Sequence, residues 1–258
     1  MGQEFSPNRS LNASAPIHMK PDDPMQVVHS QSNLAYDVVF VTPSFELARN
    51  LPNVLAVFHG SLSGRFPIPP KDMEGFGGTA LSDVRVRVRL FNDSGTLELL
   101  VDRFSASFRS MRTEQDLAVV KDCIQLADAG VRSAFPNIRY RSASFRTSTW
   151  WVAPEGIEAA AKFVQGFVSD SALKKDIGLG LHLGSTTTRW KLRNEAELWS
   201  VEFMIEPSLM PESQLFIDWT VTFDEGGAHT SLSQQSQHCK MVLGHLLGYL
   251  GLEIAQQS

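Results

Sequence analysis

The chain has 258 residues, 28 acidic and 23 basic, for a net charge of −5, with 43% hydrophobic residues and two cysteines. A chain this long buries roughly three quarters of its unfolded surface, so it needs neither a disulfide nor a metal to hold a core, and its composition excludes general disorder. The acidic balance argues against a broad nucleic-acid surface, and two cysteines far apart cannot build a disulfide framework.

No apolar run approaches the roughly 20 residues that cross a bilayer. The first residues lack the basic-then-apolar layout of a secretory signal, so the expected location is cytoplasmic. Residues 1–34, rich in Ser, Asn, Pro and Asp, show no sustained periodicity and read as a flexible tail. The remainder, 35–258, reads as a single α+β domain.

Within it, 36–41 and 54–62 are β-rich runs around a helical turn at 44–50. Residues 65–80 contain three prolines and three glycines, which suggests a long loop able to act as a lid. Val84, Val86, Val88 and Leu90 then alternate with Arg85, Arg87 and Arg89, the period-2 pattern of a strand with one apolar and one cationic face. Asn92-Asp93-Ser94-Gly95 supplies turn chemistry, with 96–108 as the return strand. A register pairing Val88 with Leu99 would set Arg89 opposite Glu98 and Arg85 opposite Asp102. Thr113 and Asp116 form a cap for a helix over 113–135, whose apolar stripe runs through Leu117, Val120, Ile124 and Ala127.

A strand at 138–152 and a helix at 154–168, with Pro154 at its first position, follow. Four strands are expected at 177–183, 187–192, 198–205 and 215–223, with Trp190 facing Val201 and Arg189 facing Glu202. A helix over 231–254 ends the domain. The predicted fold is α+β, a mostly antiparallel sheet in two strand-rich halves (35–170 and 171–258), each followed by a long helix packed on the sheet. The halves share a plan without residue-level identity.

Four residues stand out as candidate ligand contacts. Arg139 and Arg141 extend the arginine stripe and lack evident partners, although a solvated face with cross-strand pairs explains such a stripe more simply. His182 lies on the glycine face of Gly178-Leu179-Gly180-Leu181-His182-Leu183-Gly184, a strand that another backbone or a ligand could approach closely. Trp150 and Trp151 are neighbours in a strand and must face opposite ways, leaving Trp151 as a core or rim contact.

Catalytic and metal motifs fail on inspection. Gly60-Ser61-Leu62-Ser63-Gly64 has leucine where a nucleophile elbow needs serine. His238 and His245 are about 10.5 Å apart along a helix axis, too far to share one tetrahedral ion. Cys123 and Cys239 fall on apolar helix faces, where cysteine serves as a small core residue. Neither metal nor cofactor is implied. The expected function is therefore a non-catalytic protein-binding or regulatory module, with self-association through strand edges or the glycine-faced strand. The alternative is a small-molecule pocket, enzymatic or not, under the 65–80 lid. The net charge alone argues against a nucleic-acid partner.

Overall fold

The computed structural model describes residues 24–167, 187–194, 199–208, 210, 213–228 and 230–255. It is built outward from two long strands, β1 (Met25–Phe40) and β6 (Tyr140–Val152), which pair antiparallel from Val28 with Val152 to Phe40 with Tyr140. On one flank lie β5 (Arg103–Met111), β4 (Gly95–Leu100), β3 (Arg85–Leu90) and the short β2 (Met73–Phe76). On the other lie β9 (Leu215–Asp224), β8 (Trp199–Pro207) and β7 (Thr188–Asn194). The sheet order is β2-β3-β4-β5-β1-β6-β9-β8-β7, and β10 (Leu252–Ile254) adds to the start of β1 in parallel.

The predicted α+β class with an antiparallel sheet is observed. Among the described residues, the long helices lie on one face of the sheet: α2 (Leu51–Ser63), α3 (Glu114–Ala134), α4 (Ile157–Gln165) and α6 (Leu232–Leu250), with α1 (Glu46–Arg49) and α5 (Glu225–Ala228) as single turns. Phe58 of α2 meets Phe104 of β5 edge-on, and Asp128 of α3 accepts a hydrogen bond from Tyr140 of β6. His238 of α6 lies between Trp199 of β8 and Phe223 of β9. Most strand residues that point to this layer are apolar and buried, and burial of that surface is the main stabilising term. Thr113 with Asp116, and Ser231 with Gln234, close full capping boxes on α3 and α6.

Several sequence expectations are corrected. Residues 25–34, assigned to the tail by composition, are the first ten of β1. The run at 54–62 is helix: Val54, Phe58 and Leu62 recur every four residues and bury one stripe, so packing overrides the β propensity of Val and Phe. Residues 65–80 are not a free loop, because Phe66 and Ile68 are buried and β2 pairs with β3 at the sheet edge. Residues 96–108 are two strands with a turn at Val101–Asp102. Helix α4 starts at Ile157 behind Gly156 (φ 88°), so Pro154 precedes the helix. The last helix stops at Gly251 (φ 74°) in the left-handed region, and 252–254 become β10. The strand expected at 177–183 lies outside the described residues.

Both expected hairpin registers are off by two. Val88 pairs with Leu97, which puts Arg87 opposite Glu98, and Trp190 pairs with Phe203, which puts Lys191 opposite Glu202. A shift of two keeps every side chain on its expected face and changes only its partner.

Topology divides the sheet at the β1–β6 seam rather than at 170. From the seam outward, β1-β5-β4-β3 and β6-β9-β8-β7 follow the same order, each with helices after its first and last strands. Here residue-level correspondence does emerge. The hairpins 85–100 and 189–204 align without gaps, Arg85 with Arg189, Arg87 with Lys191, Arg89 with Arg193, Thr96 with Ser200 and Glu98 with Glu202. Sparse identity hid this match, because the two apolar faces differ.

Candidate functional surface

Alternation along each strand sends the residues opposite the core to the second face, where no helix lies among the described residues. The pairings knit these positions into rows across the sheet. One row runs Glu74, Arg87, Glu98, Ser105, Asp37, Ser144, Thr222, Ser200, Arg193. Its neighbour runs Arg89, Thr96, Ser107, Ala35, Arg146, Thr220, Glu202, Lys191. The centre is rich in hydroxyls and holds Arg146, and the wings carry the other cations of these rows.

The charges are held in place. Arg87 Nη2 donates to Glu98 Oε1 at 2.9 Å, and Arg85 Nε lies 3.6 Å from the same oxygen. Arg89 pairs with Glu74, and the Arg85 guanidinium sits 4.7 Å above the Phe76 ring. On the opposite wing Lys191 Nζ donates to Glu202 Oε1 at 2.6 Å, which holds the Glu202 carboxyl below its ordinary pKa. Near the centre, Asp218 Oδ1 accepts from Ser148 Oγ at 2.7 Å and Arg146 Nε at 3.1 Å, and this bond raises the Arg146 pKa. Trp150 and Phe216 form an aromatic pair at 5.0 Å towards one end of the face.

At the end of the sheet where β4 turns into β5, Pro43, Phe45, Leu81, Leu100, Val101 and the Asp102–Arg103 ion pair line a groove of about 350 Å³. Phe45 and Leu81 are close to half exposed there. A hydrogen bond from Arg103 is the main cause of the lowered Asp102 pKa, with Arg141 a smaller contributor.

The three described sequence candidates do not share one site. Arg139 is exposed and salt-bridged to Glu225 at 2.8 Å, beside α5. Arg141 is exposed at the start of β6, near Asp102. Trp151 is buried in the helix layer, where its indole Nε1 donates to Thr149 Oγ1 at 2.8 Å. His182 lies outside the described residues.

Sequence reasoning missed the surroundings of Trp151. His29 meets the Trp151 ring edge-on at 5.3 Å, and its Nε2 is 2.7 Å from Ser32 Oγ. A bulge in β1 between His29 and Gln31 shifts the alternation by one residue, so that His29 and Ser32 share the core face. Burial lowers the His29 pKa, so the ring is neutral at pH 7. Ser32 is buried, only 3% exposed. The same burial disarms the cysteines, whose thiols are pushed up to about 12.

Among the described residues, no three His, Cys, Asp or Glu side chains are placed to hold a metal ion, and no helix is long and apolar enough to cross a membrane. No protein-family model and no curated protein matches this chain.

Proposed function

We propose that the chain is a non-catalytic binding module that docks a protein partner on the open face of its sheet. The observation that carries this reading is the continuous row of polar groups from β2 to β7, with its ion pairs already formed. Side chains held in this way lose little conformational freedom on binding, which lowers the entropic cost of association. Nine strands at about 4.8 Å spacing give a face roughly 38 Å wide. With two to three alternate residues per strand, this is on the order of the 800 Å² that each partner contributes to a standard interface.

Ser144→Arg and Thr220→Arg place bulk at the centre of the face without entering the core. Immobilised wild-type protein should capture a defined set of proteins from its source cells, and the two variants should lose that set. Lys121→Glu, on the helix layer, should keep it. Capture unchanged by the central variants would sink the reading.

The groove beside Phe45 and Leu81 favours a second reading, a small apolar ligand, because its volume falls in the range of ligand sites. Native mass spectrometry would then show a retained small molecule that Leu81→Arg releases. Bare protein in both samples would remove this reading.

A further inference from the structure

The two wings of the open face are chemically equivalent half-sites. Arg85, Arg87 and Arg89 on β3 correspond to Arg189, Lys191 and Arg193 on β7, and the bridge from Arg87 to Glu98 recurs as Lys191 to Glu202. The cations stand on alternate residues of both strands and face the same way. In a chain of net charge −5, the β7 wing sets three cations against two carboxylates, Glu202 and Glu206, while the three arginines of the β3 wing meet Glu74, Glu98 and, at the turn, Asp93, 3.9 Å from Arg89. Arg189 and Arg193 are exposed and form no ion pair with a described carboxylate. Seven inter-strand steps separate β3 from β7, roughly 34 Å at about 4.8 Å per step.

We infer that the partner docked on this face is a protein presenting two acidic segments roughly 34 Å apart, one for each cationic wing. The inference rests on the open face being the docking surface, and it adds the partner's charge and spacing. Arginine forks donate to carboxylates in bidentate fashion, and Arg87 and Arg89 retain donors beyond those directed at Glu98, Glu74 and Asp93. A protein is favoured over a nucleic acid because carboxylates are interleaved throughout: Glu74, Glu98, Asp37, Asp218, Glu202, Glu206 and Asp224 share the face. A duplex laid across it would set phosphates against them, whereas a protein surface can alternate its charges to match.

Two synthetic peptides of equal charge provide the test, with binding followed by fluorescence anisotropy at low salt, where surface charges are least screened. The first carries eight consecutive glutamates and reaches about 26 Å when extended. The second splits them into two blocks of four joined by a neutral linker of about 12 residues, which spans about 40 Å. Two-point engagement should make the split peptide bind about tenfold tighter. The double variant Arg189→Glu/Arg193→Glu should erase that advantage, as should the milder Arg89→Gln on the other wing, with unchanged circular dichroism confirming the fold. Equal or tighter binding of the contiguous peptide, or a split-peptide advantage that survives the variants, would overturn the inference. So would tighter binding of a duplex DNA of about 20 base pairs, which is two helical turns. If only the peptides fail while Ser144→Arg still abolishes protein capture, the docking face stands and the acidic two-point partner does not.

Discussion

Tyr140 ties the helix layer to the centre of the sheet through a single oxygen. Its hydroxyl donates to Asp128 Oδ1 at 2.7 Å, while Arg132 Nε donates to Asp128 Oδ2 at 2.8 Å and its guanidinium lies 4.2 Å above the Tyr140 ring. Tyr140→Phe keeps the ring and removes the donor, leaving a largely buried carboxylate oxygen short of a partner. That costs about 1–3 kcal/mol, and at about 2–4 °C per kcal/mol for a chain of this size the melting temperature should drop by several degrees. An unchanged melting temperature would show that water replaces the hydroxyl without loss. His29 gives a pH-dependent counterpart. Its folded pKa lies below the ordinary 6.5 because burial penalises the charged ring. The unfolded chain therefore takes up this proton at higher pH than the folded one, and stability is complete above about 6.5 and falls as pH drops below it. Urea midpoints should decline between pH 7.5 and 5.5 more steeply in the wild type than in His29→Gln; parallel declines would exclude His29 as the cause. Little of this was legible in the sequence. The opposed faces of Trp150 and Trp151 followed from strand alternation alone, but Trp151 meets His29, 122 positions away, only because β1 and β6 pair at that register.

At the scale of elements, what the sequence showed well was periodicity, and what it hid was partnership. The capping box on α3 is local and was readable, whereas α2 needed knowledge of what covers it. Gly130 shows why. A Cβ at Gly130 would stand 2.4 Å from Ser61 Oγ and 3.1 Å from Ser61 Cβ, so α3 carries a mid-helix glycine to let α2 approach. Gly130→Ala should therefore destabilise by about 1–3 kcal/mol through overpacking, despite alanine's better helix propensity. In a Ser61→Gly background only the 3.2 Å approach to Phe58 Cδ2 remains, and the same substitution should cost much less. A pair of denaturation curves decides it: equal losses in both backgrounds would mean that the helices are not in close contact at this point. The two hairpin registers went astray for a related reason. Phe91, Asn92 and Asp93 all adopt positive φ (55°, 54° and 68°), so the first turn closes at Leu90 opposite Gly95, earlier than the residue pattern implied. Period-2 patterning cannot distinguish registers two apart, and the turn conformation chose between them. That choice also decided which arginine meets Glu98, and so it shaped the candidate surface.

For the whole molecule, the decisive feature is that the two equivalent halves share one sheet. β1 is hydrogen-bonded to β5 of its own half and to β6 of the other, and Tyr36 packs against both Phe104 and Phe145 across the seam. The buried apolar residues of both halves form one continuous cluster. Separating the halves would expose both edges of the longest strand pairing together with that shared core, so neither half has an independent route to stability. The expectation is a single cooperative unfolding transition. The chain offers a direct way to measure it, because all five tryptophans, at 150, 151, 190, 199 and 219, fall in the second half. Tryptophan fluorescence therefore reports the second half, while far-ultraviolet circular dichroism reports both, including α2 and α3 of the first. In urea the two signals should trace the same curve with one midpoint. Val38→Asp, which buries a charge in the first half, should shift both midpoints together, because loss of β1 removes the support of β6. A fluorescence midpoint that holds while the dichroism midpoint falls would mean that the second half folds by itself and that the seam is only a contact between two domains.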